Sequence, residues 1–190
     1  MFNTKALFTR ALLALSLLLG AIPAFAGPFY KVSIDTSSYA TARYLDLQFG
    51  SLASAEQTYA YISKLSGNFT GFTLDGDASG DLGTGFTLGN GTGFNAVLLD
   101  LAPGGLFQFE VSFDRADTGD GTTFSAGLLD IDFVNLLPGL VMVELVPGAP
   151  DVPPVSGGGV GVGVVPEPSD WALLATGLLL IGVTRRYARR

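Results

Sequence analysis

The stretch Leu106–Asp114 reads LFQFEVSFD. Phe107, Phe109, Val111 and Phe113 fall on one side of an extended backbone, and Gln108, Glu110 and Ser112 fall on the other. Successive side chains of a strand point to opposite faces, so this alternation marks a half-buried β-strand. A helix would scatter the same four apolar residues around its circumference. The apolar set is therefore expected in a core and the polar set at a solvated face.

The same period extends outward from this segment. In ARYLDLQFG (Ala42–Gly50), Leu45, Leu47 and Phe49 share a face opposite Asp46 and Gln48. Shorter runs follow the pattern in FYKVSID, TGFTLDG, TGFTLGN, NAVLLDL, TTFSAGLLDIDF and LVMVELV. Turn residues punctuate them at Asp75-Gly76, Asn90-Gly91, Pro103-Gly104-Gly105, Asp120-Gly121 and Pro138-Gly139. SAEQTYAYISKL (Ser54–Leu65) mixes helical spacing with β-forming residues; its β-rich surroundings favour a strand, and the capping-box spacing of Ser54 and Gln57 leaves a helical turn at Ser54–Gln57 open. Regular short strands with one apolar face predict an all-β domain, an antiparallel sandwich or jelly-roll-like fold.

The ends read differently. Lys5 and Arg10, the apolar run ALLALSLLLGAI, the helix-breaking Pro23 and the small residues Ala24 and Ala26 before Gly27 form a secretory signal peptide, residues 1–26. The β-domain is assigned to residues 27–146. Residues 147–165, PGAPDVPPVSGGGVGVGVV, are rich in proline and then glycine and read as a flexible linker. Residues 166–190 form a distinct tail. Its apolar segment 171–184 would span about 21 Å as a helix, against a hydrocarbon core of roughly 30 Å. Arg185, Arg186, Arg189 and Arg190 follow it and would stay on the cytoplasmic side of an inner membrane.

Composition excludes much chemistry. The chain of 190 residues has no cysteine and no histidine. Thiol nucleophiles, disulfides, histidine-based catalytic triads and most zinc or copper sites therefore have no residues to build them. All of the 17 acidic residues except Glu167 and Asp170 lie between Gly27 and Asp151, against the basic residues Lys31, Arg43, Lys64 and Arg115. Such a surface repels a phosphate backbone, so nucleic acid is not an expected partner.

Pro166-Glu167-Pro168, the short apolar helix beginning at Trp171 and the terminal arginine cluster together resemble the PEP-CTERM sorting signal, a tail also labelled the ice-binding protein C-terminal domain. The resemblance covers about 25 residues. It implies a Gram-negative bacterial protein exported by the Sec machinery and held transiently in the inner membrane through Trp171 and the four arginines. An exosortase would then cut near the Pro-Glu-Pro and release the protein to the cell surface or extracellular matrix. The runs SIDTSS, LDLQF, GDASGDL, TLGNGTGFN and LFQFEVSF also resemble one group of PEP-CTERM-associated extracellular β-domains, which carry no established activity. Proteins with this tail are associated with biofilm and exopolysaccharide, which makes exopolysaccharide an implied partner.

Three constellations bear on the domain's own role. Asp75, Asp77 and Asp81 in DGDASGD, and Asp114, Asp117 and Asp120 in DRADTGDG, have the spacing of oxygen ligands for calcium. Neither loop fits the twelve-residue EF-hand pattern, and Asp and Gly also serve hairpin turns, so no metal or other cofactor is assigned. Glu110 and Glu144 are the carboxylates a glycosidase would need, yet both fall at outward positions. Tyr30, Tyr39, Tyr44, Tyr59 and Tyr61 offer aromatic faces for sugars, or ordinary strand packing. The resulting expectation is a non-enzymatic, exosortase-sorted envelope or matrix protein. A carbohydrate-binding or carbohydrate-active surface protein and a calcium-dependent adhesin are the alternatives.

Overall fold

Period two becomes twelve strands in the computed structural model, which describes residues 28–102, 104–114, 116–150, 152–165, 174–179, 181–182 and 185–186. The strands form two six-stranded antiparallel sheets. The first sheet runs, in spatial order, β12 (Val160–Val164), β1 (Phe29–Asp35), β8 (Leu106–Phe113), β3 (Tyr59–Ser66), β6 (Gly85–Gly89) and β5 (Ala78–Asp81). The second runs β11 (Val155–Ser156), β10 (Asn135–Leu145), β9 (Thr122–Asp130), β2 (Ala42–Ser51), β7 (Ala96–Leu101) and β4 (Phe69–Asp75). Pairing is nested. β1 joins β8, β2 joins β7 and β3 joins β6, and successive pairs alternate between the two sheets.

The opening segment becomes β8, at the centre of the first sheet. Phe107, Phe109, Val111 and Phe113 are all buried, as their alternation requires. They meet the second sheet through aromatic contacts that join the layers: Phe113 with Phe124 at 5.5 Å, Phe113 with Phe49 at 6.1 Å and Phe107 with Phe69 at 5.0 Å between ring centroids. Leu45, Leu47, Leu99, Leu128 and Val143 complete the same core from the second sheet. Edge-to-face rings add to the area buried, so these phenylalanines hold the two layers in one alignment.

Four expectations change. Glu110 is buried at 8 % exposure, although its strand position is outward. Lys64, in a left-handed conformation (φ 50°) at a bulge in β3, closes over it with Nζ 2.9 Å from Oε2. The ion pair holds the carboxylate at a position the alternation pattern leaves open. Pro138-Gly139 is no turn: β10 runs through it, with its register to β9 broken between Leu137 and Val141. A proline has no N–H for the ladder, and an irregular register avoids the need for one. The segment Ser54–Gln57 forms no helix, and β3 begins at Tyr59.

The fourth change moves the domain boundary. Residues 147–165 are not a free linker, because β11 pairs with β10 and β12 pairs with β1 over five registered positions. Val160 and Val162 stand opposite Ile34 and Val32 and pack against the core, while Gly161 and Gly163 face away. The Val-Gly alternation is itself a period of two, and the free edge of β1 supplies the hydrogen bonds that glycine-rich chain lacks alone. The compact unit therefore runs from Ala26 to Val165. Beyond it, residues 174–179, 181–182 and 185–186, which include Arg185 and Arg186, are helical and belong to a separate unit. No helix among the described residues is long and apolar enough to cross a membrane. The signal-peptide residues Ala24, Ala26 and Gly27, the motif Pro166, Glu167 and Pro168, and Trp171, Arg189 and Arg190 lie outside the described residues.

Candidate functional site

Because consecutive strands run in opposite directions, the loops gather at two ends of the β-domain. One end collects the β2–β3, β6–β7 and β8–β9 loops together with both ends of the domain's chain, where Val165 N–H donates to Phe29 C=O at 2.9 Å. A groove of about 500 Å³ opens here on the outer face of the second sheet. Its floor comes from the outward positions of adjacent strands: Gln48 and Gly50 on β2, Thr123 and Ser125 on β9, and Glu144 on β10. Leu52 and the half-exposed Phe94 form its rim. A second hollow of about 510 Å³, reaching Gln57, Asn90 and Thr92, shares Ser51, Leu52 and Gly93 with the first.

Two asparagines from the β6–β7 loop fix the walls. Asn95 is buried at 1 % exposure. Its Nδ2 donates to Phe49 C=O at 3.0 Å and Thr92 C=O at 2.9 Å, and its Oδ1 accepts from Asp77 N–H at 2.8 Å and from the Thr92 hydroxyl. Asn90 accepts from Thr58 N–H at 2.9 Å and donates to Glu56 C=O at 2.8 Å. Three loops distant in sequence are thereby pinned to one another. Satisfied buried amides of this kind hold a unique geometry, because any other arrangement leaves a polar group unpaired.

The floor has a defined electrostatic character. Among the described residues, Glu144 is the one carboxylate lining either hollow, and no lysine or arginine lines them. Hydroxyls and amides supply the rest of the polarity. Just beyond the floor, Gln48 Nε2 donates to Asp46 Oδ2, which orients the glutamine. Burial pushes the Asp46 carboxyl above its ordinary value of 3.8, and the bond from Gln48 pulls against that rise.

The aspartates of the two glycine-rich loops are not brought together. Asp75 ends β4 and Asp77 lies in the turn, whereas Asp81 lies at the far end of β5. Four residues of strand separate Asp77 from Asp81 by about 13 Å. DGDASGD is therefore not one loop, because β5 forms within it. Asp81 accepts from Gly83 N–H at 2.7 Å and Thr84 N–H at 2.8 Å, a turn that lowers its pKa. Asp77 accepts from Gln57 and from Gly91 N–H, both at 3.2 Å. Asp114 accepts from the Tyr61 hydroxyl at 2.8 Å, which raises the tyrosine's pKa, and Asp120 accepts from Ser54. Asp117 is exposed. Among the described residues, no group of three or more acidic side chains is placed to hold a metal ion.

Glu110 and Glu144 lie on the outer faces of different sheets, one beside Lys64 and the other in the groove. Two stacked sheets, about 10 Å apart, separate them. They form no shared site. The tyrosines are likewise dispersed: Tyr30 is in the core, Tyr59 and Tyr61 are on the outer face of the first sheet, and Tyr44 stacks on Phe133 at 4.9 Å on the second. Phe94 and Gly50, which shape the groove, carry no distinguishing signal in the sequence beyond their place in or beside turns. No protein-family model, curated protein or solved structure matches the chain.

Proposed function

We propose that this chain is an exported, non-enzymatic protein of the bacterial envelope or extracellular matrix, sorted by an exosortase through its C-terminal tail. The observation that carries the reading is the position of Pro166-Glu167-Pro168 directly after Val165, the last residue of the compact unit. A processing enzyme acting at that motif removes the tail and leaves the β-domain whole. The prolines favour an extended backbone there, as a protease requires. The short segment 171–184 and its arginines serve as a temporary handle, for which a length below that of a permanent span suffices. The nested strand pairing supports a jelly-roll-like sandwich for the exported part. The separation of Glu110 from Glu144 and the lack of histidine and cysteine support a binding or structural role over a catalytic one.

Intact mass spectrometry of the secreted protein tests this reading. The mature form should lack residues 1–26 and the arginine cluster, and replacing Glu167 and both flanking prolines should leave a full-length, membrane-bound chain. Mature protein that keeps Arg190 in a strain with working exosortase overturns the proposal.

A further inference from the structure

We infer that the groove beside Phe94 is a binding site for a linear, neutral polysaccharide. This deepens the proposed function, on which it rests only for access to such a polymer outside the cell. Four observations converge on this ligand class.

The two hollows are neighbours. They adjoin at Ser51, Leu52 and Gly93, so an extended polymer crossing that shared rim would contact both, where a compact ligand would fill only one. The floor strands β10, β9 and β2 are interior to their sheet, with backbone groups already paired to neighbours. No free ladder is offered to an extended peptide, so recognition must come from side chains. Those side chains are hydroxyls and amides, Gln48, Thr123 and Ser125 among them, with the Glu144 carboxylate as a further acceptor. Such groups match alternating sugar hydroxyls, and the described lining residues, which include Glu144 and no cation, offer an anionic polymer no counter-charge. Finally, Phe94 holds a half-exposed ring at the rim, a face on which the C–H surface of a pyranose can stack. The asparagine pins keep this surface in place before the ligand arrives, which lowers the ordering cost of binding.

The two glycines in the site make a clean test. An added Cβ at Gly50 or Gly93 meets nothing within 4 Å, and neither glycine has a left-handed backbone. The backbone at either position accepts a Cβ, so a large side chain there projects into the groove. Native affinity electrophoresis of the full chain would use gels containing dextran, hydroxyethylcellulose or galactomannan, with polygalacturonate as an anionic polymer and gelatin as a polypeptide. At least one neutral polymer should retard the protein. Gly50→Trp should abolish the retardation with an unchanged melting midpoint, and Phe94→Ala should weaken it about ten-fold. If Gly50→Trp melts early, Gly93→Leu takes its place. Retardation by none of the neutral polymers overturns the inference. So does retardation only by polygalacturonate or gelatin, or retardation that survives a filled groove. None of these results depends on whether mature protein retains Arg190, so failure here and failure of the sorting proposal are read separately.

Discussion

Replacing Asn95 by alanine should destabilise the β-domain by about 2–5 kcal/mol, although the residue sits in a glycine-rich loop at one end of the molecule. Its amide answers Phe49 C=O at 3.0 Å and Asp77 N–H at 2.8 Å, and the residue is buried at 1 % exposure. Alanine leaves both backbone groups without a partner where water has little access. Each orphan costs about 1–3 kcal/mol, whereas the Thr92 groups lie in an exposed turn and can turn to solvent. Asn95→Asp sharpens the argument. It keeps the acceptor for Asp77 N–H but sets a charged oxygen against the carbonyls of Phe49 and Thr92. Its cost should be at least as large at pH 7 and should shrink as the carboxyl protonates and regains a donor. Phe94→Ala is the control: the neighbouring side chain is half exposed, and its loss should fall within about 0.5 kcal/mol. Urea denaturation followed by tryptophan-independent far-UV circular dichroism measures all three. An Asn95→Ala cost below 1 kcal/mol would refute the claim that this amide pins the loops.

Phe109→Ala, at a position fully buried between the two layers, should cost about 3–5 kcal/mol in the same assay, and a loss under 1.5 would place that ring outside the core. A chain ended after Val146 should melt earlier than one ended after Val165. Two partly buried valines at full value would each contribute about 1.5–3 kcal/mol, so roughly half of that each is at stake; equal melting would restore the linker reading. Asp46→Asn should stabilise the protein at neutral pH. Burial raises the folded pKa of Asp46, so its favourable contribution is present below 3.8 and is lost as pH rises through the raised value. The advantage of Asn should therefore vanish in acid, and a stability gain that is flat with pH would rule out the ionisation argument. Asp81→Asn works in the opposite sense. Two backbone donors lower the pKa of Asp81, so its stabilising effect holds above 3.8 and fades as pH falls through the lowered value. A penalty for Asp81→Asn that persists at pH 2 would contradict that assignment.

The sequence by itself determined where the central strands form and which of their faces turns inward. Period two is a local property of the backbone, so Phe107, Phe109, Val111 and Phe113 declare their burial without reference to any partner. The same holds for Leu45, Leu47 and Phe49. Composition likewise confined the chemistry, since no fold creates a histidine or a thiol. What the tertiary structure decided is everything that depends on partners far along the chain. The pairing of β1 with β8 joins residues more than seventy positions apart, and no local pattern encodes it. That pairing leaves β1 with an open edge, which draws the Val-Gly segment into the domain as β12. It also sets Glu110 and Glu144 on opposite faces, divides Asp77 from Asp81 by a strand, and brings Asn95 beneath Phe49. The groove exists because strands β2, β9 and β10 lie side by side while the loops above them are stapled together, and its glycine floor is visible only once that arrangement is known. Local stereochemistry writes the strands; the free energy of burying their apolar faces against one another chooses the neighbours, and the neighbours make the site.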